Sequence, residues 1–532
     1  MREVDYLIIG AGIAGMTLHR YLESDDVVIV DSNPGRYKIG ESIIPPHFFP
    51  RELRGLLDEA RRLPSASDKL GTIFVSDEGV SYFFAYYDAQ FTLHLDRREL
   101  EALYRRHFGI PVQRERVVDI DFDARIVETD AERYRVRRQI LDCSGPAMVV
   151  ARKLGLAYEL WPAYAGWAYW DIEAQRDERF WSEVASQKVP FFHFDDRTEK
   201  LAPASIDLAR PASSATMLTH AGEGLWTWQI PLYHSTLLSF GVVRRHGPVR
   251  ADDYLEITRS RLGRQYDAVL RPWDRSSPHN MLHRRDHFAW AAREFARPEW
   301  ALIGDAAFFG DPVYSVGTGI ASNQAIRAAT LLRRYGWEEG GWKIFHRKTT
   351  EIFDRAKRAY EHWYAGEVTA DHEVASSVQA GFLNGLALHF HTGEMYQDMI
   401  GLAAPDDPSC DPRFAGDPGE EVTELLPDGL RALAGWTLKR AILRNGQAET
   451  TWEHAEGESL AVRIELREGT ARYYRAAGPF ALSYRVLQVS SGPSLGRHGA
   501  RLFDELARAL LAWQSGMLRL LELRPALGAI GT

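Results

Sequence analysis

Three glycines near the N-terminus have the spacing needed to hold a dinucleotide. Gly10, Gly12 and Gly15 form G-x-G-x-x-G directly after an apolar run that ends at Ile9. The first glycine permits a tight turn, the second lets the backbone approach a pyrophosphate, and the third lets helix and strand pack closely. Asp31 ends the next apolar run, where a carboxylate can accept hydrogen bonds from both ribose hydroxyls of an adenosine. The residues predicted to bind the dinucleotide here are Gly10, Gly12, Ile13, Ala14, Gly15, Asp31 and Ser32.

Two tryptophans in the middle of the chain share one face of a predicted strand. Trp226 and Trp228 belong to the segment W-T-W-Q-I-P, which continues to Ile230 and Pro231. Alternate residues of a strand point to the same side of its sheet. Paired tryptophans most often pack in a core, so this segment alone predicts a buried strand.

Histidine and acidic residues in the second half of the chain do not have the spacing of a metal site. His389 and His391, like Asp371 and Glu373, are separated by a single residue and do not share a helix face. A further ligand at suitable spacing is missing from the sequence. No metal site is predicted.

The dinucleotide turn lies at the opening of a doubly wound α/β sheet. Strand, glycine turn, helix, strand and acid follow one another from Tyr6 to Asp31. The segment from about 160 to 290 alternates in polarity and is rich in aromatics, which predicts an antiparallel sheet over a pocket. A buried strand at Trp300 to Gly304 then precedes a long helix from near Gly319.

These patterns predict an α/β protein made of four parts. A discontinuous, Rossmann-type dinucleotide-binding domain covers 1–160 and 290–335, and an antiparallel β-sheet substrate domain covers 161–289. A helical region and linker cover 336–419, and a small α+β module covers 420–532, with strands at 461–465 and 471–474 and a helix over 502–523.

Composition narrows the class of protein. A chain of 532 residues is too long for one core, and 45% hydrophobic with 26% charged residues is ordinary for a soluble protein. A net charge of −9 argues against nucleic-acid binding. Cys143 and Cys410 fit a reducing compartment. Neither a signal peptide nor an apolar run of roughly 20 residues is found, so no membrane span and a cytoplasmic location are expected.

The chain from residue 4 to about 330 resembles FAD proteins of the p-hydroxybenzoate hydroxylase type. The matching segments are Gly10 to Asp31, Asp96-Arg97, Asp142-Cys143-Ser144-Gly145 and Gly304-Asp305. In that superfamily a Gly-Asp pair at the last position approaches the ribityl chain and pyrophosphate of the flavin. The resemblance therefore implies FAD, held in addition by Arg97, Gly304 and Asp305.

Four further motifs resemble those of flavin-dependent halogenases. They are Gly40-Glu41-Ser42, Lys69 to Phe74 (K-x-G-x-x-F), Trp226 to Pro231 (W-x-W-x-I-P) and Phe309 to Gly317 (F-x-x-P-x-x-S-x-G). By position, Glu41, Ser42, Pro312 and Gly317 are implied to contact the cofactor. Lys69 matches the family's essential lysine, with Lys38 as the competing candidate.

The resemblance implies that oxidant formation and substrate halogenation take place in two separate places. Reduced FAD and oxygen convert chloride or bromide to hypohalous acid, which travels to Lys69 beside an electron-rich ring. The halide is expected on the backbone amides of Val316 and Gly317, since such turns bind anions. Trp226, Trp228, Ile230 and Pro231 are expected to wall the flavin off from the substrate.

Two departures from the family pattern bear on substrate and partner. Tryptophan halogenases carry glutamate where Tyr314 stands, and often threonine at Val316, whereas relatives acting on phenols and pyrroles put an aromatic at the first position. A phenol, pyrrole or indole, free or tethered to a carrier protein, is therefore expected. The Asp-Gly pair that helps hydroxylases bind NADPH is absent from Asp142 to Gly145. FADH2 is thus expected from a separate flavin reductase.

Two other functions remain open at this stage. An FAD monooxygenase or oxidase that kept the motifs would oxygenate its substrate, and a flavin-binding or carrier-docking protein would do no chemistry. Glu41, Glu173 and Asp195 remain unranked as the base that removes the ring proton.

Overall fold

The computed structural model describes residues 1–43, 54–85, 93–186, 188–189, 192–195, 200–203, 212–222 and 224–370, together with strands and turns between 420 and 489. These residues fall into two units. The first comprises the described residues within 1–189 and 206–370, and the second those within 192–203 and from 420 onward.

The strands of the first unit and the hairpin within 192–203 precede residue 310. In chain order they are β1 Arg2–Ile9, β2 Val27–Val30, β3 Ser42–Ile43, β4 Ser67–Asp68, β5 Gly71–Ser76, β6 Gly79–Ala85, β7 Leu93–His94, β8 Val117–Asp121, β9 Ile126–Thr129, β10 Arg133–Asp142, β11 Ala157–Glu159, β12 Tyr164–Gln175, β13 Lys188–Val189, β14 Phe192–Asp195, β15 Lys200–Pro203, β16 Thr216–His220, β17 Leu225–Leu232, β18 Leu237–Arg244, β19 Tyr266–Leu270, β20 His283–Asp286, β21 Trp290–Ala292, β22 Trp300–Leu302 and β23 Phe308–Phe309.

The α-helices among the described residues all lie in the first unit. They are α1 Ile13–Leu22, α2 Arg54–Ala60, α3 Arg97–His107, α4 Val149–Lys153, α5 Glu178–Ser186, α6 Ala251–Gln265, α7 Gly317–Thr330, α8 Trp342–Tyr364 and α9 Glu367–Ala370. In the ranges that the structure describes, no helix is both long and apolar enough to cross a membrane.

A six-stranded sheet carries the dinucleotide turn. Its order is β2-β1-β10-β9-β8, with β22 also paired to β10. The pairs β1–β2, β1–β10 and β10–β22 are parallel, whereas β8 and β9 add antiparallel strands. Leu7 and Ile8 of β1 are fully buried, as expected for a strand covered on both faces. The turn at Gly10 lies at the carboxyl end of β1, where open α/β sheets bind ligands.

A nine-stranded sheet carries the tryptophan segment and corrects the predicted antiparallel domain. Its order is β13-β6-β5-β16-β17-β18-β12-β19, with β20 paired to β12. β5 and β6 come from outside 161–289, and the pairs β5–β16 and β6–β13 are parallel. The sheet is therefore mixed, and it crosses the predicted boundary. Alternation within a segment indicates a strand but does not identify its partner, so this pairing was not visible in the sequence.

The three-stranded sheet β3-β7-β4 joins two distant motifs. Residue Ser42 of β3 and residue Ser67 of β4 both pair with His94 of β7. Lys69 directly follows β4. The G-E-S turn and the lysine motif therefore lie next to each other in space.

The second unit contains an antiparallel sheet in the order β24-β26-β27-β28-β29, with β25 paired to β26. These strands are β24 Glu420–Glu421, β25 Ala432–Leu433, β26 Trp436–Arg444, β27 Gln447–His454, β28 Ser459–Glu468 and β29 Leu482–Val489. The predicted strand at 471–474, the predicted helix over 502–523, Cys410 and the residues from Asp371 to His391 lie outside the described residues. The mixed α/β class predicted from the sequence is confirmed.

Candidate active site

The first unit contains a cavity of about 640 Å³ at the carboxyl edge of the six-stranded sheet. Most of the predicted site residues line it: Gly10, Gly12, Ile13, Ala14, Asp31, Glu41, Ser42, Arg97, Trp226, Trp228, Ile230, Asp305, Pro312 and Gly317. Six others lie outside the lining: Gly15, Ser32, Lys69, Pro231, Gly304 and Val316. The lining thus brings together segments that are separated by about three hundred residues of sequence.

The glycine turn is shaped to admit a phosphate group. Gly10 has a φ of +104°, and a Cβ there would lie 2.4 Å from the carbonyl oxygen of Cys143. A Cβ on Gly15 would lie 2.0 Å from the Gly10 carbonyl oxygen. Helix α1 starts without a side-chain cap, and Gly12, Ile13 and Ala14 at its start line the cavity, so its first amides are available to a ligand there. The Asp31 carboxylate accepts a 2.8 Å hydrogen bond from the Ala11 amide.

Two cations beside this turn have the chemistry that a pyrophosphate requires. Arg97 donates from Nη2 to Glu101 Oε1 at 2.9 Å, and Lys38 Nζ donates to Glu101 Oε2 at 2.7 Å. The Arg97 Nε atom is buried and has no hydrogen-bond partner among the described residues. An orphaned donor of this kind at a cavity wall fits an anionic ligand. The residues present therefore fit FAD.

The Gly-Asp pair lies close to the glycine turn, because a Cβ on Gly304 would lie 3.3 Å from the Ala14 Cβ. Burial raises the pKa of Asp305 to about 6, against the opposing attraction of Arg97 and Lys38. Gly304 lies behind the lining, between Ala14 and Ala321. Asp305 thus presents a carboxyl group to the cavity that accepts or donates a hydrogen bond near neutral pH.

The turn from Pro312 to Gly317 has the backbone conformation of an anion nest. The Ser315 amide donates to the Pro312 carbonyl at 3.0 Å, and Ser315 has a left-handed φ of +57°. Val316 follows with φ −91° and ψ −10°, and α7 begins at Gly317 without a side-chain cap. Consecutive residues of opposite helical hand direct their amides to one point, which binds anions. Tyr314 is buried, and its hydroxyl donates to the Ala359 carbonyl at 2.9 Å.

The tryptophan segment forms one wall of the cavity. Trp226 and Trp228 on β17 are buried, with ring centroids 5.8 Å apart. Trp228 Nε1 donates to Ser239 Oγ at 3.3 Å, and the Trp226 ring meets Trp363 edge-on at 6.0 Å. Trp228 is thus held by the neighbouring strand β18, and Trp226 packs against α8.

Lys69 lies behind the cavity wall with no exposed surface. Its Nζ donates to Ser42 Oγ at 2.7 Å, and Ser42 lines the cavity. Burial lowers the pKa of Lys69 to about 7. Near neutral pH a large share of this side chain is therefore an uncharged amine, which is both a nucleophile and a hydrogen-bond donor.

The buried lysine predicts an unusual pH dependence of stability. Its pKa of about 7 in the folded state is lower than 10.5, the ordinary value for lysine. Between these pH values the unfolded chain binds more protons, so stability rises with pH by about 1.4 kcal/mol per unit. Lys69→Met should therefore be more stable than the wild type at pH 7, by about 2 kcal/mol or more, with the difference shrinking by pH 9. Urea unfolding without FAD measures this, and a wild type as stable as the variant at pH 7 contradicts it.

A second buried acid faces the cavity at Glu41. Burial raises the pKa of Glu41 to about 7, although the Tyr169 hydroxyl donates to its Oε1 at 2.5 Å. The Tyr37 hydroxyl lies 2.6 Å from that of Tyr169 and accepts from Trp167 Nε1 at 2.8 Å. Of the other candidate bases, Glu173 is exposed on β12. The Asp195 side chain lies outside the described residues.

Sequence reasoning missed the residues that support Glu41 and Lys69. Tyr37, Trp167 and Tyr169 hold the carboxyl group, and Thr216 and His94 contact the lysine network. The alternation in β12 places Trp167 and Tyr169 on one face and was a usable signal. Nothing in the sequence relates His94 to Lys69. Among the described residues no group of three or more His, Cys, Asp or Glu could hold a metal ion.

Curated relatives of the chain are halogenases of carrier-bound pyrroles. A 1H-pyrrole-2-carbonyl-(peptidyl-carrier protein) chlorinase of Pseudomonas fluorescens is 24% identical over 374 residues, 61% of this chain and 74% of the relative. The corresponding brominase of Pseudoalteromonas luteoviolacea is 25% identical over 358 residues, 63% of this chain and 78% of the relative. No protein-family model matches the chain.

A solved halogenase shares the fold. The structure of halogenase PltM in complex with phloroglucinol and FAD has a TM-score of 0.56 at 18% identity, and covers 77% of this chain and 89% of that one. The curated relatives confirm the resemblance to flavin-dependent halogenases, and with it the prediction of an oxidoreductase, and this neighbour shows the same fold. They support FAD as the cofactor.

Proposed function

We propose that this protein is an FADH2-dependent halogenase that uses oxygen and chloride or bromide to halogenate an electron-rich aromatic substrate through Lys69. The observation that carries the proposal is the buried amine of Lys69, 2.7 Å from a hydroxyl that lines the flavin-sized cavity. Burying a lysine amine costs free energy of folding. A buried lysine next to a cavity therefore indicates a chemical role rather than a structural one.

The cavity residues divide the work of holding FAD and the halide. Gly10, Gly12 and the α1 amides would bind the pyrophosphate together with Arg97, and Asp31 would bind the adenosine ribose. Bound reduced FAD supplies the redox chemistry that, with oxygen, turns halide into hypohalous acid. The amides of Val316 and Gly317 would hold the halide in their nest.

The tryptophan wall would keep the aromatic substrate out of the flavin cavity. Trp226, Trp228 and Ile230 line the cavity, Pro231 lies outside the lining, and the Trp226 ring contacts Trp363 of α8. A substrate that cannot reach the flavin cannot be oxygenated there. Hypohalous acid is small enough to leave the flavin cavity. The group that receives it therefore determines which substrate is halogenated.

Lys69 is the destination that fits best. Its amine either donates a hydrogen bond to hypohalous acid or reacts with it; in the second case an N–halogen bond forms, and hydroxide leaves with an amine proton as water. Lys38 does not suit this role, because it is ion-paired with Glu101 within the cavity wall. Lys38 suits the pyrophosphate instead.

The substrate is a pyrrole, phenol or indole, either free or tethered to a carrier protein. The Tyr314 hydroxyl donates to the Ala359 carbonyl, so this position offers no carboxylate to a substrate. The curated relatives are named for pyrrole on a carrier protein. We therefore rank a pyrrole or phenol ring above indole.

We expect the purified protein not to oxidise NADPH at a rate above that of free FAD. The Asp142 carboxylate is fully buried and is already bound by the amides of Ser144 and Val150, at 2.9 and 2.7 Å. This segment therefore has no free acid to offer a nicotinamide dinucleotide. Absorbance at the NADPH band measures this, and rapid oxidation without a reductase contradicts it.

A product assay tests the proposed function. The protein is given FADH2 from a reductase, oxygen and bromide with a panel of phenols, pyrroles and indoles that includes phloroglucinol. A brominated product that requires bromide supports the proposal. An oxygenated product independent of bromide supports an FAD monooxygenase, and no oxygen consumption above that of free FADH2 supports a non-catalytic protein.

A further inference from the structure

We infer that Thr216, anchored by His94, is a positioning residue that aims the Lys69 amine through the Ser42 hydroxyl. The inference rests on the proposed function and deepens it, because it names the groups that pass the oxidant from the flavin cavity to the lysine. Neither His94 nor Thr216 belongs to the motifs of the sequence.

Four side chains from four strands or loops form one hydrogen-bonded chain. Lys69 Nζ donates to Ser42 Oγ at 2.7 Å, and Ser42 Oγ lies 3.2 Å from Thr216 Oγ1. Thr216 Oγ1 lies 2.8 Å from His94 Nε2. Lys69 and His94 are fully buried, and Thr216 and Ser42 nearly so.

The chain has a consistent direction of hydrogen bonding. Burial, helped by the nearby Lys69 charge, holds the pKa of His94 well below its usual range, so its imidazole is neutral. Ser42 accepts from Lys69, and the two remaining contacts allow Ser42 to donate to Thr216 and Thr216 to donate to His94 Nε2. In this arrangement each hydroxyl donates one hydrogen bond and accepts one. The Lys69 amine is then held in one orientation, toward Ser42.

The chain also crosses the cavity wall. Ser42 and Thr216 line the cavity, whereas Lys69 and His94 do not. Hypohalous acid leaving the halide nest would therefore meet two hydroxyls before the amine. Hydroxyls suit this position because they accept and donate hydrogen bonds without a charge that would trap the oxidant.

A purely structural role for Thr216 makes a different prediction. Thr216 begins β16, whose pairing with β5 aligns it with Thr72. If only packing mattered, valine would replace threonine without functional loss, since the two side chains have nearly the same shape. If the hydroxyl matters, valine breaks the chain and serine restores it.

The test measures how hypobromous acid is divided between an aromatic probe and a trap in solution. The holoenzyme is supplied with FADH2, oxygen and bromide, with phloroglucinol as the aromatic probe and monochlorodimedone as a trap for free hypobromous acid. At saturating FAD and normalised to total oxidant, Thr216→Val should lower the ratio of brominated probe to trapped oxidant by at least about tenfold. Thr216→Ser should return the ratio to near the wild type. Thr219→Val, buried on the same strand but outside the cavity lining, is the matched control.

The outcomes separate this inference from the proposed function. A wild type that yields neither brominated probe nor trapped oxidant overturns both. A brominating wild type with an unchanged ratio in Thr216→Val overturns the inference alone. If the valine variant does not fold, Thr216→Ala gives the same readout, and a wild-type ratio there overturns the inference.

Discussion

Lys69→Met is expected to lower the yield of halogenated product by at least about a hundredfold, while FAD still binds and hypohalous acid still forms. The reason is that Lys69 lies outside the lining of the cavity, so the substitution leaves the flavin contacts intact. Methionine keeps the unbranched apolar stem of the lysine side chain and lacks its terminal amine. Brominated phloroglucinol, trapped hypobromous acid and FAD affinity are measured on the same preparation.

Lys38→Met is the matched control for this prediction. Lys38 lies in the cavity wall and is paired with Glu101, so its loss should weaken FAD binding. At saturating FAD, the share of oxidant that reaches the probe should stay as in the wild type. The assignment of Lys69 is wrong if the two variants exchange these behaviours, or if Lys69→Met brominates normally.

Gly10→Ala is expected to abolish FAD binding and to destabilise the protein by at least about 3 kcal/mol. Two effects combine at this position. The backbone has a φ of +104°, and a Cβ would lie 2.4 Å from the Cys143 carbonyl oxygen. Neither of the two backbone segments can shift easily, because both are hydrogen-bonded into the sheet. The Gly10 amide donates to the Val30 carbonyl and the Cys143 amide donates to the Ile9 carbonyl, both at 2.8 Å. Flavin fluorescence titration and urea unfolding measure the two losses.

Gly109→Ala separates backbone conformation from the close approach. Gly109 has a φ of +59°, but no atom lies within 4 Å of a Cβ added there. Its substitution should cost only about 1–2 kcal/mol and leave FAD binding unchanged. If Gly10→Ala behaves like this control, the turn does not hold the cofactor as described.

The dinucleotide turn could be predicted because its information is local. Gly10 to Asp31 lie within a single strand-helix-strand unit, so spacing alone describes their geometry. The Asp31 carboxylate indeed lies in the cavity, 2.8 Å from the Ala11 amide. Local steric rules of this kind can be read directly from residue types.

The lysine network could not be predicted because its members meet only through sheet pairing. His94 joins Ser42 and Ser67 through β7, and Thr216 arrives on β16 beside β5. The same non-local pairing made the second sheet mixed rather than antiparallel. The family resemblance implied a cofactor contact for Ser42, and the structure shows a hydrogen bond from Lys69 to Ser42 that the resemblance did not imply.

The fate of labelled oxygen tests most directly whether halide rather than oxygen reaches the substrate. Phloroglucinol is turned over with FADH2, bromide and ¹⁸O2, and the product is analysed by mass spectrometry. Two compartments separated by Trp226 and Trp228 predict a product that contains bromine and no ¹⁸O, with the label released to water. Incorporation of ¹⁸O into the product, with or without bromide, would contradict the proposed separation and indicate an oxygenase.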